Sequence, residues 1–71
     1  MSLQSFADEL AEAGGVKHTS IDGNTLRVKY FANPSNYSTV RGKIRREYPN
    51  ITHVDTETDA SGHSTLIYEE E

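Results

Sequence analysis

A short stretch of the chain concentrates the side chains that could bind an anion. Four basic residues occur within six consecutive positions, and two more lie four and two positions before an aromatic residue further upstream. Guanidinium and ammonium groups bind phosphates and carboxylates through charge-assisted hydrogen bonds, and an aromatic ring beside them can stack on a nucleobase. The candidate binding patch therefore comprises Arg41, Lys43, Arg45, Arg46, Arg27, Lys29 and Phe31.

The patch belongs to a basic middle segment between two acidic ends. Residues 1–15 carry three acids and no base, residues 16–47 carry seven bases and two acids, and residues 48–71 carry six acids and no base. The segments have net charges of −3, +5 and −6, which together give the formal net charge of −4. The overall charge thus conceals a chain of strongly segregated charge, which favours self-association or docking to a charged partner.

Two interpretations of the basic segment remain open. In one, the patch binds a partner; in the other, the acidic ends fold back and neutralise it. Helical-wheel angles place Arg41 and Arg45 nearest the first helix and direct Lys43 and Arg46 to solvent. The acids available for neutralisation are Asp8, Glu9 and Glu12 near the N-terminus and Asp55, Glu57 and Glu69 near the C-terminus.

Other chemistries receive little support from the sequence. The absence of cysteine excludes disulfides, thiolate metal ligands and a thiol nucleophile. The histidines His18, His53 and His63 lack the spacing of a metal site, and no nucleophile elbow or phosphate-binding loop accompanies the many serines and threonines. We therefore expect a protein that is not an enzyme and that has no catalytic residues, metal or other cofactor, and no small-molecule substrate.

Hydrophobic periodicity predicts six elements. Leu3, Phe6 and Leu10 recur at helical spacing in residues 3–13, with Ser2 as a candidate N-cap and Gly14-Gly15 as the stop. A second helix near 36–48 follows the break at 33–35. Strands are predicted at 16–21 and 25–31 around Asp22-Gly23-Asn24, and at 51–58 and 64–69 around a five-residue turn; residues 69–71 form an acidic, frayed end.

Strand alternation predicts which side chains face the core. In the first hairpin the core face carries Lys17, Thr19, Ile21, Leu26, Val28 and Tyr30. In the second, a five-residue turn places Val54, Thr56, Leu66 and Tyr68 on the core face, whereas a four-residue turn would reverse the faces of one strand, so this register stays open. On the second helix, Tyr37, Val40, Ile44 and Tyr48 form the apolar face.

The element order α-β-β-α-β-β predicts one α+β domain over residues 1–71. The expected architecture is a two-layer sandwich, a four-stranded, mainly antiparallel sheet with both helices on one face. The expected function is a small binding or regulatory module that acts through protein–protein contact; the alternative is nucleic-acid binding through the basic helix 36–48 and the adjacent hairpin face. Homodimerisation is expected through the fourth strand as a sheet edge.

The composition also bears on cellular location. The longest uninterrupted apolar run is Leu66-Ile67-Tyr68, far too short for a membrane span. A cysteine-free chain is most simply placed in the cytoplasm, without membrane contact. The excess of acidic residues also suits a high-salt cytoplasm, where strong screening makes surface repulsion tolerable.

Overall fold

The computed structural model describes residues 2–70 and confirms the predicted α+β architecture. Its elements are α1 (Leu3–Ala11), β1 (Val16–Asp22), β2 (Thr25–Phe31), α2 (Pro34–Glu47), β3 (Ile51–Thr58) and β4 (His63–Glu70). The strands form one antiparallel sheet in the order β1-β2-β4-β3. Side chains from α1, α2 and one face of the sheet meet in a single core, so both helices cover the same face.

Helix α1 begins as predicted and ends earlier than predicted. The Ser2 hydroxyl accepts a hydrogen bond from the Ser5 N–H at 3.1 Å and caps the first turn. Phe6 and Leu10 are fully buried. The helix ends at Ala11 rather than at residue 13 because the next turn tightens, with the Ala13 N–H donating to the Leu10 carbonyl at 3.0 Å.

Helix α2 begins two residues before the predicted start. Asn33 caps it by accepting the Asn36 N–H at 2.8 Å, and Pro34 occupies the first turn, where no intrahelical donor is needed. Val40 and Ile44 are buried as predicted, whereas Tyr37 is 40% exposed. Within residues 2–70, neither helix is long and apolar enough to cross a bilayer.

A β-bulge in β1 corrects the predicted position of Lys17. Val16 pairs with Tyr30, but the next partner pair is His18 with Lys29, so Lys17 is an extra residue in the strand. The extra residue shifts the alternation, and Val16 rather than Lys17 packs against the core. Lys17 lies on the other face of the sheet, where its Nζ atom is 5.9 Å from the centroid of the Phe31 ring.

A second bulge, in β3, corrects the predicted core positions of Val54 and Thr56. From Thr58 to Asp55, the pairing of β3 with β4 follows the register that a five-residue turn predicts. Beyond Asp55 it does not, because His53 rather than Val54 pairs with Tyr68. Val54 therefore lies on the face away from the helices and is 48% exposed. Thr56 pairs with Leu66 on the helix side but is exposed, because α2 does not extend over this part of β3.

The sheet order relates the two halves of the chain by approximate two-fold symmetry. Exchanging α1-β1-β2 with α2-β3-β4 reverses the order β1-β2-β4-β3 onto itself, and each half has its bulge in its first strand. The edge strands are β1 and β3, so the prediction that the fourth strand is an edge was wrong: β4 lies between β2 and β3. Glu69 and Glu70 of the predicted frayed end belong to β4, and Glu71 lies outside the described residues.

Candidate functional site

The structure divides the predicted basic patch between opposite sides of the molecule. Arg41, Lys43, Arg45 and Arg46 lie on α2, in the helical layer. The strand residues of the patch, Arg27, Lys29 and Phe31, alternate with the core residues Leu26, Val28 and Tyr30 and so lie on the uncovered face of the sheet. The seven residues therefore do not form one continuous surface.

Lys43 is neutralised within the protein. Its Nζ atom lies 2.8 Å from Glu47 Oε2 on the same helix and 3.4 Å from Glu9 Oε1 on α1. The hydrogen bond to Glu47 raises the pKa of Lys43 above its ordinary value, and the Glu9 carboxylate adds to this shift. The prediction that Lys43 points to solvent was wrong, and this residue, rather than Arg41 or Arg45, links α2 to α1.

Arg41 and Arg45 border a groove between α2 and β3, which we call the α2–β3 groove. A cavity of about 200 Å³ in this groove is lined by Arg41, Ile44, Arg45, Tyr48, Pro49, Ile51 and Tyr68. An adjoining depression of about 470 Å³ is lined by Tyr37, Ser38, Arg41, Gly42 and Arg45. Both arginines contribute to both cavities, and among residues 2–70 no acidic side chain lines either one.

Tyr37 fixes the position of the Arg41 guanidinium. Arg41 Nη1 donates a hydrogen bond to the Tyr37 hydroxyl at 2.8 Å, and the guanidinium carbon lies 5.5 Å from the centroid of the same ring. The guanidinium is therefore held without a carboxylate partner. Arg45 is exposed and makes no ion pair with any residue in 2–70, and the same is true of Arg46.

Aromatic side chains form the floor and one end of the groove. Burial raises the pKa of the Tyr68 phenol, while the nearby positive charges of Arg41 and Arg45 oppose that shift. The His53 ring packs 5.3 Å from the Tyr68 ring, measured between centroids. Tyr48 stacks on Phe6 in the core, and its hydroxyl donates to Glu70, which raises the pKa of Tyr48.

The uncovered face of the sheet holds the other half of the predicted patch. Phe31 is 49% exposed, and its ring packs against His63 with centroids 4.9 Å apart. Lys29 Nζ lies 3.6 Å from Asp59 Oδ2, so Lys29 is also paired, although with a turn residue rather than with a predicted strand acid. Arg27 is exposed and forms no ion pair with the described part of the chain.

The turn from Asp59 to His63 brings together a serine, a histidine and an aspartate without the geometry of a catalytic relay. Ser61 Oγ lies 3.0 Å from His63 Nδ1, and Asp59 Oδ2 lies 3.7 Å from the same nitrogen. A relay needs the hydroxyl and the carboxylate on opposite ring nitrogens. Among residues 2–70, no cluster of three or more histidine and acidic side chains is arranged to hold a metal ion.

The α2–β3 groove is not among the sequence-based predictions, although the spacing of three residues of α2 indicates it. Tyr37, Arg41 and Arg45 recur every four residues and so lie along one side of α2. We assigned Tyr37 to the apolar face, which separated it from the arginines. Its neighbour across the groove, Tyr68, comes from a strand more than twenty residues away, and only the tertiary structure brings the two together.

No family model, curated protein or solved structure matches this chain.

Proposed function

We propose that the protein is a non-enzymatic binding module that holds an acidic segment of a partner protein in the α2–β3 groove. The observation that carries this proposal is the pair Arg41 and Arg45, which border a tyrosine-lined groove with no acidic residue among its described lining residues. The other helix cation that faces acidic side chains, Lys43, already has two carboxylate partners. Arg41 and Arg45 therefore present unpaired positive charge on the groove side of the helix; Arg46 is also without an ion pair in residues 2–70, but it lines neither cavity.

The chemistry of the groove fits carboxylates attached to a partly apolar segment. A guanidinium presents a planar set of donors that matches a carboxylate, and Tyr37 holds Arg41 in place before any partner arrives. Ile44, Pro49 and Ile51 provide an apolar wall next to these charges. A segment with acidic residues and one aliphatic or aromatic anchor would use both features.

The approximate symmetry of the fold also supports this location. In the first half of the chain, α1 packs closely on its edge strand β1, and Thr19 Oγ1 donates to the Ala7 carbonyl at 3.0 Å. In the second half, α2 stands away from its edge strand β3, which leaves the corresponding space open. The groove is thus the position that the first half fills with its own helix.

An NMR titration with a model ligand tests the proposal. The probe is a short peptide of alternating aspartate and leucine, with the matching lysine–leucine peptide as its charge-reversed control. At low ionic strength we expect shifts in the amide signals around Arg41, Arg45 and Ile51 with the acidic peptide alone. The double variant Arg41→Gln, Arg45→Gln should weaken binding about tenfold or more, since each charged hydrogen bond contributes roughly 1.5–3 kcal/mol.

The double variant Arg27→Gln, Arg46→Gln provides the matched control, because it removes the same two charges from positions that do not line the groove. It should leave the titration unchanged. Equal responses to the acidic and basic peptides, no response to either, or equal losses in the groove and control variants would each refute the proposal.

Nucleic-acid binding is the second candidate, and one observation favours it. The exposed Phe31 ring lies beside Lys17 and His63, which is an arrangement on which a base could stack. A single nucleic-acid strand could not contact the Phe31 ring and α2 at the same time without passing around the molecule, because the ring and the helix lie on opposite sides of the sheet. A titration with an oligothymidylate distinguishes the candidates: shifts around Phe31 that disappear at high salt would favour nucleic acid.

A further inference from the structure

The uncovered face of the sheet is divided into a basic half and an acidic half. In the part of the chain that the structure describes, no helix packs on this face. Strands β1 and β2 contribute the cations Lys17, Arg27 and Lys29 to it, together with the acid Asp22 at the end of β1. Strands β4 and β3 contribute Glu69, Asp55 and Glu57. The boundary between the halves runs along the β2–β4 junction, in the middle of the sheet.

The centre of this face is apolar. Ile67 pairs with Arg27 on one side and with Asp55 on the other, and it is only 9% exposed although it lies outside the helix-covered core. Phe31 and Val54, on either side of it, are about half exposed. A face with an apolar centre and charges toward its edges has the anatomy of a protein interface.

We propose that a second copy of this chain covers the uncovered face, in a two-fold dimer whose axis runs parallel to the strands. This axis places β1 and β2 of each protomer over β3 and β4 of the other, so that each basic half meets an acidic half. A two-fold axis across the strands would place like charges over one another. Charge complementarity therefore selects one of the two face-to-face arrangements.

The sheet register identifies the contacts of this dimer. His18, Lys29, Thr65 and Glu57 lie in one row across the four strands, and Lys17 is the bulged residue next to His18 in that row. Reversing the strand order in the second copy places His18 and the adjoining Lys17 of one protomer over Glu57 of the other, twice per dimer. Within a protomer, Lys17 and Glu57 lie on opposite edges, about 14 Å apart at three strand spacings, so they make no contact with each other.

The size of the face indicates a reversible dimer. Four strands of seven or eight residues present roughly 19 by 23 Å of surface, about 440 Å² for each protomer. This is below the roughly 800 Å² that each partner contributes to a stable interface of standard size. We therefore expect weak, reversible dimerisation that weakens further as ionic strength rises.

Charge reversal at Lys17 and Glu57 tests the arrangement by sedimentation at several concentrations and ionic strengths. Lys17→Glu alone creates two Glu–Glu contacts and Glu57→Lys alone creates two Lys–Lys contacts, so each should raise the dimer dissociation constant about tenfold or more. The double variant, and an equimolar mixture of the two single variants, should both restore dimerisation, because every contact is again between opposite charges.

The results separate this proposal from the alternatives. A wild-type protein that stays monomeric at millimolar concentration and low salt would refute it. A dimer that is insensitive to both reversals would also refute it, and would point to pairing through the β1 or β3 edge. Circular dichroism of each variant confirms folding, and Arg41→Gln, Arg45→Gln should dimerise normally because the groove lies on the other side of the sheet.

Discussion

The side chain of Asn36, on the first turn of α2, lies against the Cα atom of Gly15, in the space that a Cβ atom would need. Asn36 Nδ2 also donates to the Phe31 carbonyl at 3.0 Å, and the Phe31 N–H donates to the Gly15 carbonyl at 2.9 Å. The start of α2, the end of β2 and the turn after α1 thus meet at one glycine. Its φ of +87° is a second reason for glycine at this position.

Gly15→Ala should destabilise the protein, whereas Gly14→Ala should not. The first change combines left-handed strain with displacement of Asn36, and we expect a loss of about 1–3 kcal/mol in the free energy of unfolding. A Cβ at Gly14 meets open space, and its φ is not positive. Stability there should be unchanged or raised by up to about 1 kcal/mol. Urea denaturation measures both; equal losses would contradict this account of the turn.

Leu66→Ala and Val54→Ala should differ sharply, although both residues were predicted in the core. Leu66 is fully buried between the helices and the sheet, and its truncation should cost about 2–5 kcal/mol. A chain of this length has a total stability of roughly 4–10 kcal/mol, so the variant should be near its unfolding limit. Val54 is 48% exposed, and its truncation should change stability by less than about 0.5 kcal/mol under dilute, monomeric conditions.

Thermal unfolding by circular dichroism compares the two variants. A large loss at Val54 in dilute solution would show that the β3 bulge is absent and that the uninterrupted register applies.

Asp59→Asn should reduce the acid sensitivity of the protein. Hydrogen bonds from the His63 N–H and the Ser61 hydroxyl and N–H hold the pKa of Asp59 well below its usual range. A lowered pKa in the folded state contributes stability that is present above the unfolded value of about 3.9 and is lost as pH falls further. Asparagine keeps an acceptor oxygen but does not titrate, so stability should fall less steeply below about pH 4.

Urea midpoints near neutral pH and at about pH 2.5 measure this effect. Asp22→Asn is the matched control, because the Asp22 carboxylate makes no hydrogen bond or ion pair with residues 2–70. A variant at Asp59 that loses as much stability on acidification as the wild type and the control would contradict the role of the turn.

Local sequence patterns predicted the helices and strands, but two β-bulges made part of the prediction of which strand residues face the core wrong. Leu26, Val28 and Tyr30 alternate without interruption, and all three lie in the core as expected. In β1 and β3, one extra residue reverses the alternation beyond it, and nothing in the composition of either strand marks the position. Lys17 and Val54 were therefore assigned to the wrong face for the same reason.

The candidate site depended on tertiary contacts that helical spacing does not contain. The wheel placed Lys43 toward solvent, but a lysine side chain is long enough to reach Glu9 on the neighbouring helix from that angle. This contact neutralises Lys43 and so removes it from the helix cations that are available to a partner. Arg41 and Arg45 became the groove residues only because α2 stands away from β3.

The position of the β2–β4 junction also bears on the order in which parts of the chain fold. Each half of the molecule is built from neighbours along the sequence, and its hairpin can close within about 1–10 μs. The junction instead joins Phe31 to His63 across all of α2 and β3, so it closes a much longer loop at a greater entropic cost. Both halves contribute to one core, so neither can bury all of its apolar side chains until this junction forms. We therefore expect formation of the β2–β4 junction to be the slow step in folding.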